Sequence, residues 1–207
     1  MPKATSAAPQ SDCAAFILIA ARDLLAEVGY GAMSMRQLAS RAGMLPGSLY
    51  HHVASKQDLL LAVLAHVLEA RDSAWRQLPR QKGVLGELRS FIRFMLAWQL
   101  THPTDAKVLE HELRHLDPHQ QHWLTRRSNS LQAKLCNLLR RGQRSGTLGD
   151  IEVESAALAI MALLGTADGL RNTSTGWSAA DLEAHFVKMS WRVLDVHRVG
   201  TTALTGH

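Results

Sequence analysis

Cysteine is scarce: Cys13 and Cys136 are the two in 207 residues. That is too few for a disulfide framework, which excludes the small secreted folds stapled by bridges and points to a reducing cytoplasm. Aromatic residues make up only 5%. Runs rich in β-branched residues are nearly absent, while alanine and leucine are abundant, a balance that favours helices over sheets. Long hydrophobic runs are missing as well. The longest charge-free apolar stretch beyond the N-terminal region, Ser155–Ala167, is too short to cross a bilayer. Residues 13–21 (CAAFILIAA) have the look of a signal-peptide core after Lys3. However, Asp12 directly precedes them, and their helical period continues through Arg22 and Asp23 to Val28, where a cleaved segment would give way to a loop. No short-period repeat and no low-complexity tract occurs. The expectation is a cytoplasmic protein with no membrane association and no cofactor.

What is present is apolar material, 46% of the chain, enough for one small domain plus a medium one or a single large helical domain. The net charge is +5, which suits a nucleic-acid partner, although its distribution matters more than its sum. Residues 1–60 carry five Lys/Arg against four Asp/Glu, residues 71–146 fourteen against six, and residues 147–207 four against seven. The basic excess therefore lies in the middle of the chain.

Periodicity and breakers give about nine helices. Residues 1–10, with two prolines and no period, read as a disordered arm. A first helix over Asp12–Val28 buries Ile17, Ala21, Leu24, Leu25 and Val28 and stops at Gly29. Ser34 and Gln37 form a capping-box pattern opening a second helix, with Leu38, Ala39 and Ala42 inward and Gly43 as its end. Pro46 suits the first position of a third helix, which carries Leu49, Tyr50 and Val53. Ser55 to Asp58 repeats the capping logic ahead of a long fourth helix through Leu68. Further helices are expected over Leu85–Leu100, Thr104–Leu116, Pro118–Ser145, Glu152–Leu170 and Ser178–Val196. The breakers between them are Pro103, Asp117-Pro118, Gly146 with Gly149, and Asn172–Gly176. Two short helices joined by a glycine turn and framed by longer ones make a helix-turn-helix.

The stretch 34–53, SMRQLASRAGMLPGSLYHHV, followed by Ala-Ser-Lys56-Gln-Asp-Leu-Leu, resembles the signature of the tetracycline-repressor (TetR) family over about residues 12–68. The resemblance implies an all-α fold in which an N-terminal three-helix helix-turn-helix domain is joined by a long helix to a C-terminal helical ligand-binding and dimerisation domain. The expected boundaries are 11–55 for the DNA-binding domain, with its motif at 34–53, 56–200 for the second domain, and 201–207 for a disordered tail. It implies a non-enzymatic regulator that binds double-stranded operator DNA as a homodimer and answers to a small-molecule effector. The third helix would enter the major groove N-terminus first, its free N–H groups and dipole favouring phosphate. Ser34, Arg36 and Gln37 on the second helix, and Pro46, Gly47, Ser48, Tyr50 and His51 on the third, are the candidate DNA contacts, together with Lys56. Gly47 lets the backbone come close, and Tyr50 offers a hydroxyl to phosphate. Lys56, a cation opposing a helix dipole, is placed better for a phosphate than for its own helix. Leu45 stands where many family members have a capping Ser or Thr. It cannot cap, and it is a candidate contact for a thymine methyl.

A second motif competes. His111-Glu112-Leu113-Arg114-His115 satisfies the H-E-x-x-H pattern, which on a helix puts two histidines on one face for zinc with the glutamate as base. His119 and His122 lie close by. Against a zinc peptidase stand Pro118 and Gln121, where the longer pattern wants Gly and His, and Arg114, a fixed cation inside the motif.

Large apolar groups on the central helices are candidates for an effector pocket: Trp75, Ile92, Met95, Trp98, Leu109, Leu113, Trp123 and Leu135. The basic middle of the chain has two readings, a solvated face carrying Arg126, Arg127, Lys134, Arg140, Arg141 and Arg144, or attraction of an anionic ligand such as an acyl-coenzyme A. The segment GSLYHH is similar to regulators of lipid and steroid catabolism, in keeping with the second. The helix over Glu152–Leu170 is apolar almost all round and must be covered on every side. The resemblance implies a two-fold four-helix interface there, with Ala156, Ala159, Leu163 and Ala167 joined by Phe186, Met189 and Val193.

Overall fold

Apolar-periodic segments become helices throughout the computed structural model, which describes residues 8–171 and 176–196. In chain order they are α1 (Ala8–Ala32), α2 (Met35–Arg41), α3 (Pro46–Tyr50), α4 (Lys56–Gln77), α5 (Val84–Thr101), α6 (Pro103–Glu112), α7 (Pro118–Arg144), α8 (Val153–Gly165), α9 (Ala167–Arg171) and α10 (Ala179–Val193), with a single 3-10 turn at Leu113–His115. Among the described residues the pairing of extended backbone is limited to one isolated bridge, Leu148 with Val196. The all-α class expected from composition is what forms.

The chain groups into two units. One contains the residues up to Ser73 together with His102–Ser128; the other contains Ala74–Thr101 and the residues from Asn129 on. In the first, Ile17, Ala21, Leu24 and Leu25 of α1 pack with Leu38 and Ala39 of α2, Leu49 of α3, and Leu59, Leu60, Val63 and Leu64 of α4. Val108 of α6, Leu116 just ahead of α7 and Leu124 of α7 enter the same core. Arg22 donates to Asp105 of α6 at 3.1 Å, so a buried carboxylate is paired. In the second unit, Leu88, Phe91 and Ile92 of α5 pack with Leu131, Leu135 and Leu139 of α7, Ala157, Ile160 and Leu164 of α8, and Leu182 and Phe186 of α10.

Several expected boundaries move. α1 begins at Ala8, so Ala8–Gln10 are helical rather than part of an arm; Pro9 falls in the first turn, where a missing N–H costs nothing. Residues 1–7 of that arm, the tail 201–207 and the break at 172–175 lie outside the described residues. Val28 is 42% exposed rather than buried, because it sits at the end of α1 next to Gly29, where the helical path breaks. Gly29 has φ 74 and ψ 164, a conformation that is essentially glycine's alone. The helix expected over Glu152–Leu170 is two, α8 and α9, parted at Thr166. Its Oγ1 donates to the carbonyl of Leu163 at 2.7 Å, the back-bonding by which Thr competes with helix continuation. The window Val153–Leu170 has a mean hydropathy of 1.4 over 18 residues, long and apolar enough by length and composition to cross a membrane. It breaks at Thr166 and has a third of its residues buried in the protein.

Candidate nucleic-acid interface

The motif at 34–53 is built by local chemistry. Ser34 Oγ accepts from the Gln37 N–H at 3.2 Å, and Gln37 Oε1 accepts from the Ser34 N–H at 2.8 Å. This closes a reciprocal capping box on α2. The turn out of α2 passes through Gly43 at φ 65, the left-handed region where a side chain is strained. Leu49, fully buried, pins α3 to the core, and Pro46 occupies its first turn.

Every expected contact on this motif faces outward. Ser34, Arg36, Gln37, Pro46, Gly47, Ser48 and His51 are exposed, Leu45 is 75% exposed and Tyr50 53%. Leu45 makes no side-chain cap, as its chemistry requires. The third helix is shorter than the sequence suggests: α3 has five residues and ends at Tyr50, leaving His51 and His52 in the following turn. A helix this short carries a small dipole, since the macrodipole is a sum over aligned peptides. On so short a helix, side chains and free N–H groups outweigh the dipole as possible partners for an anion. Of the two histidines, His52 is occupied, with its Nε2 3.8 Å from the Sγ of Cys13, while His51 stays on the open side.

Lys56 is the residue whose setting the sequence did not reveal. Ser55 Oγ accepts from the Asp58 N–H at 3.0 Å and donates to Asp58 Oδ2 at 2.6 Å, capping α4. Lys56 then lies with its ammonium 4.3 Å from the ring centroid of Tyr30, a cation–π contact. Tyr30 in turn stacks on His115 with centroids 5.4 Å apart, and its backbone N–H donates to Glu112 Oε2 at 3.1 Å. Burial pushes the Tyr30 phenol pKa up. Gln57 Nε2 donates to the His115 carbonyl at 2.8 Å. These partners are 26 to 85 residues apart in sequence, and no spacing rule would have joined them.

The same contacts account for the H-E-x-x-H pattern. α6 ends at Glu112, and Leu113–His115 turn as a 3-10 helix, so His111 and His115 do not share an α-helical face. Glu112 is buried and used in holding the Tyr30 backbone and facing His115 at 3.8 Å. No group of three His, Cys, Asp or Glu able to hold a metal ion occurs among the described residues. The arrangement is a structural corner, and it gives no support to zinc chemistry.

The eight residues expected to line one pocket divide between the two units. Trp75, Ile92, Met95, Trp98 and Leu135 sit in or against the core of the second unit. Leu109 and Leu113 pack on the core of the first, and Trp123 is 43% exposed. The expected interface residues also divide. Ala156, Ala167 and Phe186 are buried within the chain itself, Leu163 and Met189 are half-buried, and Ala159 and Val193 are exposed. The open face of α8 instead presents Leu158, 55% exposed, with Ala159, Ala162 and Gly165. An apolar helix with no polar stripe gave no signal for which side the chain itself would cover.

Comparison with known proteins now adds to the geometry. The sequence model for "Bacterial regulatory proteins, tetR family" matches residues 17–63, and that for "Tetracyclin repressor-like, C-terminal domain" matches residues 84–192, more than half of the chain. The chain belongs to the TetR family. The HTH-type transcriptional regulator UidR of Escherichia coli K12 is 34% identical over 61 residues, and the match spans about a third of that relative's length, 31%, and 30% of this chain. The transcriptional repressor NicS of Pseudomonas putida KT2440 is 26% identical over 189 residues, covering 84% of each protein. Among solved structures, a tetR-family regulatory protein from Rhodococcus RHA1 superposes with a TM-score of 0.74 at 28% identity, over 88% of this chain and 96% of that one. AibR, solved with isovaleryl coenzyme A and operator DNA, gives a TM-score of 0.75 at 17% identity, over 86% of this chain and 97% of that one. The likeness to AibR is one of fold.

Proposed function

We propose that this TetR-family chain is a cytoplasmic, ligand-responsive transcriptional repressor that binds a palindromic operator in double-stranded DNA as a homodimer. The observation that carries the reading is the exposed surface formed by Ser34, Arg36, Gln37, Leu45–Ser48, Tyr50 and His51 on a capped α2 and the α3 that follows it. A capped α2 and a pinned α3 present hydroxyls, a guanidinium and open backbone on a fixed framework. Residues 11–55 are the DNA-contacting part on this reading. Lys56 reaches phosphate by leaving the Tyr30 ring or sharing it.

The second copy is accommodated on the open face of α8, where Leu158, Ala159, Ala162 and Gly165 are joined by Leu163 and by Met189 and Val193 of α10. A two-fold axis there makes one patch serve both subunits and pairs two motifs with two half-sites. The effector acts by favouring one spacing of the two motifs over another, and it shifts the balance only by its differential affinity for the two.

The test is a gel shift with fragments of the protein's own promoter region. A discrete complex is expected, with affinity lowered about tenfold by Tyr50→Phe together with Lys56→Ala, because each removes a phosphate partner. If Arg36 and Lys56 supply the charged contacts, four per dimer, log K falls with log salt at a slope of about −4. A dimer that shifts no such fragment sinks the reading.

A further inference from the structure

The second unit holds a pocket that no sequence motif singled out. It lies between the end of α4 with the segment that follows it, Leu78–Gln81, the first half of α5 and the second half of α7. Its volume is about 300 Å³, at the small end of the range for small-molecule sites. Trp75 is the one residue of the expected effector pocket that lines it.

The pocket has two chemistries. Its floor is apolar: Trp75 meets Phe91 edge-on with centroids 5.4 Å apart, and Leu138 adjoins them. Its rim is cationic, with Arg76, Arg80, Lys134 and Arg141 against a single carboxylate, Glu87. That carboxylate is already committed. Arg141 donates to both of its oxygens, at 3.1 and 2.6 Å, in a bidentate pair. Arg76, Arg80 and Lys134 form no ion pair among the described residues. Unpaired like charges around one concavity repel one another, and a concave, low-dielectric wall focuses their field on whatever enters. A neutral or cationic guest leaves that repulsion in place, whereas an anion removes it.

We propose that this pocket binds a small amphipathic organic anion, with an aromatic or branched aliphatic body on Trp75 and Phe91 and a carboxylate or phosphoryl head held by Arg80, Lys134 and Arg76. The volume admits a small acid or the acyl portion of a larger ester, and excludes a long chain. Ser90 and Asn137 give the guest neutral hydrogen-bonding partners. Calling the guest an effector rests on the regulator reading above; its binding does not. Trp75 and Lys56 belong to one continuous helix, α4, which gives the bound state a covalent route to the DNA-facing residues.

Titration calorimetry on the full chain tests this with three probes: 4-phenylbutyrate for a carboxylate head, phenylphosphonate for a phosphoryl head, and the neutral 4-phenylbutyramide. At least one anion binds at one site per chain, roughly tenfold or more tighter than the amide, and the stronger of the two anions identifies the head group. Arg80→Gln with Lys134→Gln lowers that affinity by about tenfold and removes the preference over the amide, while the melting temperature holds because both side chains lack partners to lose. Trp75→Phe keeps an aromatic floor and retains binding of the acid. Failure of both anions to bind, equal binding of the amide, or wild-type affinity in the double variant each overturns the site. A gel shift run with and without the tighter anion separates the two claims. Anion binding with an operator shift that it leaves unchanged overturns the effector role. Anion binding with no operator shift at all overturns the regulator reading and leaves the pocket standing. An operator shift without anion binding does the reverse.

Discussion

Gly47 lets the proposed DNA contact be tested apart from folding, at a single atom. A Cβ built there meets nothing within 4 Å, and alanine is the better helix former by about 1 kcal/mol in a helix interior. Gly47→Ala is therefore expected to leave the melting temperature unchanged or slightly raised while weakening the operator complex, since the added methyl stands where backbone would meet DNA. A thermal melt and a gel shift on the same preparation check it, and equal operator affinity would remove Gly47 from the interface. Gly29 behaves in the opposite way. Its φ of 74 and ψ of 164 exclude other residues, and a Cβ would stand 3.6 Å from Glu112 Oε1. Gly29→Ala should cost about 1–3 kcal/mol, read as a lowered denaturation midpoint. Sequence legibility at this scale followed locality. Ser34 with Gln37 is a contact across three residues and could be read directly. Lys56 on Tyr30, Tyr30 on His115 and Glu112 under the Tyr30 amide join segments far apart in sequence, so the same residues suggested a zinc motif until the end of α6 at Glu112 was seen.

Caps and breaks decide the elements. Glu152 caps α8, accepting from Ser155 N at 2.7 Å and Glu154 N at 3.3 Å. These hydrogen bonds, that from Ser155 foremost, hold its carboxyl at about 2, below the ordinary 4.5. A carboxylate held low in the folded state adds stability that is complete above 4.5 and is lost as the pH falls toward 2. Glu152→Gln should therefore show a shallower loss of melting temperature between pH 4.5 and 2 than the parent chain, and parallel acid profiles would refute the cap's role. On the open side of the same helix, Leu158→Glu replaces a proposed contact with a charge. Burying a leucine is worth about 1.5–3 kcal/mol and the two-fold axis counts it twice, so the dimer should weaken by at least about 100-fold, visible as a monomer in size-exclusion chromatography with light scattering. Helix existence was legible wherever apolar period and cap agreed, as for α2, α4 and α10. The break at Thr166 was not, because a lone Thr in an apolar run looks tolerable until its hydroxyl is seen bonding back to Leu163. Nor was the side of α8 that the chain covers, since Ala156 and Ala159 differ only in what stands opposite them.

At the scale of the whole molecule the two units do not follow the linear division expected near residue 55. The core of the first unit takes Leu38, Leu49 and Leu60 from the N-terminal stretch and Val108, Leu116 and Leu124 from more than forty residues downstream. A fragment ending at Ser73 keeps the whole helix-turn-helix and loses those three fully or nearly fully buried side chains. It is expected to lack a cooperative thermal transition by circular dichroism, since each missing Leu or Val leaves a cavity or exposed core worth about 2–5 kcal/mol, comparable with a small domain's net stability. A fragment that melts as sharply as the full chain would show that residues 102–128 are dispensable. Composition and pattern could identify two helical regions, but not that a piece of the later sequence belongs to the earlier core, because α6 is amphipathic in the way any surface helix is.

That interleaving also bears on how such a protein can be recombined. The polypeptide passes from one unit to the other near residues 73, 101 and 128, so a single splice behind the motif at 34–53 would leave Val108, Leu116 and Leu124 of the first core on the wrong side. Keeping that core whole takes the segment 102–128 together with residues up to 73, so an exchange along the units has three junctions instead of one.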